Sequence, residues 1–117
     1  IEAPDEVYVA ISTGVLSRAM QIAWPKAKFH SVAVSRNLKA GELGRAEVIS
    51  EPMPFQQSEK PENLPPFPCI DTYDGKVWKY IPKNTDRNIL FWNSLFNNNL
   101  FFSSGFFVLL KKTKICY

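Results

Sequence analysis

The sequence has one histidine, His30, and two cysteines, Cys69 and Cys116. Tetrahedral zinc sites and Ser-His-Asp hydrolysis therefore lack the residues to build them within this chain. The cysteines form no CxxC pair and are too few for a disulfide framework, so a reduced, cytoplasmic setting is the expectation. No apolar run reaches the roughly 18 residues that suggest a membrane span. Ile1 opens the chain without a basic-then-apolar stretch, so no secretory signal is expected in it. A basic face is also missing. The net charge is +3, and Lys111, Lys112 and Lys114 in the acid-free stretch 98–117 account for all of it. Residues 1–97 are neutral, which gives no support for the electrostatic footprint of a nucleic-acid binder.

What is present is an ordinary globular composition, 45% apolar and 21% charged over 117 residues, enough for one domain. Glu6–Ile11 is rich in β-branched and aromatic residues and reads as a buried strand. Ser12-Thr13-Gly14 supplies a turn with hydroxyl N-cap candidates. From Val15 to Trp24, apolar residues at Val15, Leu16, Ala19, Met20, Ile22 and Ala23 predict a helix with a wide buried face, stopped by Pro25. Phe29–Val34 is a second strand. Strand, turn, helix and strand make a βαβ unit, whose crossover sets the strands parallel. Ala46–Ile49 is a short third strand, and Asn37–Arg45 is a weak helix candidate broken by Gly41 and Gly44. The fold class expected is α/β, a small parallel sheet in three αβα layers.

Six of the nine prolines fall between Pro52 and Pro68. The stretch 50–72 is thus a long irregular connection, either a linker or, as Phe55 and Phe67 suggest, a cover over a surface. Val77, Trp78, Tyr80 and Ile81 give a short helix its apolar face before Pro82. Asn88–Trp92 is a further buried strand, ending at Asn93-Ser94. Residues 1–97 read as the α/β domain. Residues 98–117 form a divergent tail with two apolar bursts, Leu100–Phe102 and Phe106–Leu110, which suit either an antiparallel hairpin or an added or frame-shifted end.

Three places carry candidate chemistry. A strand-to-helix turn such as Ser12-Thr13-Gly14-Val15-Leu16 points free N–H groups and the positive end of the helix dipole outward, which suits phosphate. The same pattern also serves as a plain helix cap. It is neither a Walker A loop nor GxGxxG, and Ser35-Arg36 stands where a dinucleotide fold would put an acid. Tyr73, in Tyr73-Asp74-Gly75-Lys76, is either a proton donor or a loop anchor. Lys76 reads as a solvated lysine. Asn93 and Ser94 end a strand at the carboxyl edge, where ligands of parallel sheets sit. His30 reads as structural or surface. No metal site is expected.

Together these segments resemble one family. Val9 to Ala19, Trp24-Pro25 and Phe29 to Arg36 are similar to the strand, phosphate loop, helix and strand of fold-type II pyridoxal-phosphate enzymes, the tryptophan synthase β superfamily. D-cysteine desulfhydrase and 1-aminocyclopropane-1-carboxylate deaminase are the branch most alike, with compact phage and bacterial pyridoxal-phosphate proteins. Tyr73-Asp74-Gly75-Lys76 and Ile89 to Ser94 match in order, so the likeness covers roughly residues 5–96. It implies a lyase or deaminase acting on an amino acid as its small-molecule substrate. Ser12, Thr13, Gly14, Val15 and Leu16 would hold the cofactor phosphate. Tyr73 would act over the ring, with Asn93 and Ser94 near the pyridine nitrogen. The family's Schiff-base lysine stands ahead of this region in a Ser-x-Lys or Asn-Lys context, and no lysine of this chain stands there. A chain inert alone, completed by an N-terminal segment or a second chain, is the expectation. Two other readings remain open: a non-enzymatic phosphate- or nucleotide-binding module, and an interaction protein whose tail docks on a partner or a second copy.

Overall fold

A computed structural model of the chain describes residues 3–35, 43–83, 85–93, 106–111 and 114–116. The elements run β1 (Glu6–Ile11), α1 (Val15–Ala23), β2 (Lys28–Ala33), β3 (Glu47–Ser50), β4 (Ile89–Asn93), β5 (Phe106–Lys111) and β6 (Lys114–Cys116). They form one sheet in the order β3-β2-β1-β4-β5-β6. The first four strands of that order are mutually parallel, as the βαβ reading requires. The α/β class is the one expected.

Strand alternation sorts the core into two layers. On one face lie Tyr8, Ala10, Val32, Val34, Ile89 and Phe91, packed with Phe67, Val77 and Ile81. On the other lie Val7, Val9, Ile11, Phe29, Ala33 and Leu90, packed with Met20 of α1, Ala27 and Leu43. The proline-rich connection is therefore a cover: the Phe67 ring meets Phe91 and stands edge-on to Trp78 in that first layer.

Four expectations change. The helix expected before Pro82 is two single 3₁₀ turns, Asp74–Lys76 and Trp78–Tyr80. A run this short, interrupted at Val77 and ended by Pro82, cannot repay α-helix nucleation. In α1 the buried residues are Ser17, Met20 and Gln21, while Val15 is 60% and Ile22 83% exposed. The wide apolar face expected inside, Met20 excepted, thus lies outside. Polar burial is tolerated because Ser17 and Ser31 share a 2.8 Å hydroxyl bond, and Gln21 donates to the Leu43 carbonyl and accepts from the Arg45 amide. In the tail, β5 pairs antiparallel with β4 on one side and β6 on the other, so the hairpin joins Phe106–Lys111 to Lys114–Cys116. The first apolar burst lies outside the described residues, as does most of the 37–45 helix candidate, of which 43–45 form a turn. Lys76 is the fourth change and belongs to the site.

Candidate functional site at the carboxyl edge of the sheet

β1 ends at Ile11 and α1 begins at Val15, so Ser12, Thr13 and Gly14 turn the chain at the carboxyl edge. Gly14 is the N-cap residue, at φ 85°, a left-handed conformation that glycine takes without strain. A Cβ there would come within 1.9 Å of Leu43 Cδ2, so the close packing also requires glycine. The hydroxyls do not cap α1 as expected, since no side chain makes a cap bond. The nearest approach is the Val15 amide donating to Thr13 Oγ1 at 3.5 Å. Among the described residues, the amides of Leu16 and Ser17 have no acceptor. The first turn holds no acid, so nothing in it opposes the positive end of the dipole. Ser12 and Thr13 are exposed, and Ser35 beyond β2 donates to Ser12 Oγ at 3.0 Å. Three hydroxyls thus border this helix mouth.

The other candidates are spent on structure. Tyr73 donates to the Ala10 carbonyl, 3.1 Å away, and so ties the loop to the end of β1. Burial, then the nearby Asp74 carboxylate, pushes its phenol up to about 12. Asn93 is fully buried at the end of β4, and its amide donates to the Pro68 carbonyl at 2.7 Å. Ser94 and Arg36 lie outside the described residues. Lys76, expected in solvent, is fully buried: its ammonium donates to the carbonyls of Pro54 and Phe55 at 2.9 and 3.0 Å. Burial pulls its pKa below the ordinary lysine value, against the pull of Glu51 and Glu59.

Beside the mouth, Ala33, Val34 and Ser35 face Glu51, Met53, Pro54 and Phe55 across a pocket of about 250 Å³. Behind it, Lys79 binds the carboxylates of Glu51 at 2.9 Å and Glu59 at 2.6 Å, and the Tyr80 hydroxyl donates to Glu51 at 2.6 Å. This cluster was not foreseen. Its hydrogen-bonded pairs lie 20 to 29 residues apart, with no local spacing to mark them. Among the described residues no group of three His, Cys, Asp or Glu side chains could hold a metal, and no helix is long and apolar enough to cross a membrane.

For pyridoxal phosphate the fit divides. The amides of Leu16 and Ser17, without acceptors among the described residues, and the hydroxyls at the mouth of α1 suit a phosphate monoester. At the ring end, Asn93 is tied to the Pro68 carbonyl, and Ser94 lies outside the described residues. No hydrogen bond joins a described lysine to the Ser12–Leu16 turn. No protein-family model, curated protein or solved structure matches the chain.

Proposed function

We propose that this chain is a phosphate-binding α/β unit, and that Ser12–Leu16 takes the phosphate of pyridoxal phosphate as part of an amino-acid lyase or deaminase. The observation that supports this most directly is the mouth of α1: amides on Leu16 and Ser17 with no acceptor among the described residues, bordered by Ser12, Thr13 and Ser35. The cofactor, when bound, supplies an aldehyde that condenses with amines and a ring that withdraws electrons. The chain's own part is to grip the phosphate and to place Tyr73 beside the end of β1. Catalysis by this chain alone is not expected, because none of its lysines stands ahead of the turn, where the resembled family carries its Schiff-base lysine.

A thermal-melt titration tests the reading. Ligand at ten times its Kd stabilises by about 1.4 kcal/mol, a shift of several degrees for a domain this size. Pyridoxal phosphate at millimolar concentration should raise the melting temperature, and pyridoxal should not. Thr13→Asp, an exposed change that puts an anion at the mouth, should abolish the shift. It is a better control than Gly14→Asp, whose Cβ would strike Leu43. No shift with the fold intact sinks the assignment. Non-enzymatic binding of any phosphate is the second reading, favoured by the engagement of Asn93. It predicts that inorganic phosphate protects as well as the cofactor does.

A further inference from the structure

The segment between Glu51 and Glu59 leaves the sheet edge and returns to nearly the same place. Both ends are pinned. The Glu51 amide donates to the Ala33 carbonyl, and the Glu59 amide to the Asp71 carbonyl, each at 3.0 Å. A single ammonium, Lys79, then joins the two end carboxylates, whose side chains are each only 1% exposed. Between these ends, Pro52 and Pro54–Ser58 are exposed. Their hold on the rest of the molecule, among the described residues, is Lys76 donating to the Pro54 and Phe55 carbonyls. The Gln57 amide closes an internal turn onto Pro54 at 3.0 Å. Underneath lies the 250 Å³ pocket, walled by Met53, Pro54 and Phe55 on this side and by Ala33–Ser35 on the other.

We infer that Pro52–Ser58 is a hinged flap over the pocket at the end of β2, clamped at its base by Lys79 and latched at its tip by Lys76. The two fastenings differ in kind. The base is a charge-to-charge bridge from Lys79 to two carboxylates held out of water. The tip is a cation against neutral carbonyls, which releases more easily. Compact loops with adjoining ends open as local units without unfolding the sheet beneath them. Opening here would uncover the buried Val34 beside Ser35, which is already exposed at the helix mouth, so the flap governs how far a small phosphorylated ligand held at the mouth can reach into the pocket. That role rests on the phosphate reading of the edge; the latch itself does not.

Hydrogen exchange without any ligand tests the latch, so its outcome is independent of cofactor binding. In the unaltered chain the Gln57 amide should exchange at a rate insensitive to sub-denaturing urea, while the Glu59 amide and those of β1 and β2 follow global unfolding. A Gln57 amide that follows the global transition overturns the flap. Lys76→Met should speed Gln57 exchange about tenfold or more and leave Glu59, β1 and β2 unchanged. No change at Gln57, or equal acceleration throughout the sheet, overturns the latch. The door is tested by thiol labelling of Val34→Cys in a chain whose own cysteines are serine. Adding Lys76→Met should raise the labelling rate by a similar factor, and an equal rate with and without it overturns the gating role.

Discussion

His30 lies between two carboxylates at the amino edge of the sheet. Its Nε2 donates to Glu6 at 2.7 Å, its Nδ1 is 3.4 Å from Glu47, and its ring stacks on Tyr8 with centroids 4.3 Å apart. Glu6 is itself buried, and its second oxygen faces Arg87 at 2.9 Å. One side chain thus ties β1, β2 and β3 together. Removing it does two separable things: it opens a hole beside Tyr8 and strips a buried carboxylate of a close partner. His30→Ala should destabilise the fold by roughly 2–4 kcal/mol. His30→Phe keeps the stack and loses the hydrogen bond, so in urea unfolding it should recover only part of that loss. Full recovery by phenylalanine would mean that the ring alone matters.

Among the elements, α1 departs furthest from its sequence pattern. Its last turn holds no basic residue, and the caps come from elsewhere: the Arg45 guanidinium donates to the carbonyls of Trp24 at 2.8 Å and Ala27 at 2.9 Å. With these bonds and those of Ser17 and Gln21 made, the helix is fixed with Ile22 facing out. Ile22→Glu should therefore shift stability by no more than about 0.5 kcal/mol, whereas Met20→Ala, in the core, should cost roughly 2–5 kcal/mol. A large loss from Ile22→Glu would show that this stripe is covered. The Lys79 cluster makes its own prediction at this scale. Burial raises the Glu59 carboxyl, but hydrogen bonds from Lys79 and Asn63 outweigh burial and hold it below 4.5. The folded chain then binds the proton less readily than the unfolded one. The contribution is complete above pH 4.5 and lost as the pH falls through the lowered value. Urea unfolding followed from pH 7 to 3 should show a steeper fall for the native chain than for Glu59→Gln. Parallel curves would remove Glu59 from the acid response.

On the scale of the whole molecule, the tail belongs to the sheet. β5 pairs with β4 along its full length, from Ile89 opposite Leu110 to Asn93 opposite Phe106. Without it, β4 becomes an edge strand while carrying the fully buried Leu90 and Phe91. A chain ending at residue 97 should melt several degrees lower and aggregate, as calorimetry and size-exclusion chromatography would show. An unchanged melting temperature and a soluble monomer would make the tail dispensable to the fold. Much of this architecture was legible in the residues. Alternating apolar strands, Pro25 after the helix and the β1–turn–α1–β2 order act through neighbouring backbone, and so did the candidate turn at Ser12–Leu16. What the residues could not disclose depends on partners distant along the chain. The inward face of α1 is set by acceptors near Leu43 and Arg45, the burial of Lys76 by the carbonyls of Pro54 and Phe55, and the flap's clamp by two glutamates that meet only once the chain has folded. A polar side chain enters a core only where such partners arrive, and tertiary packing alone brings them there.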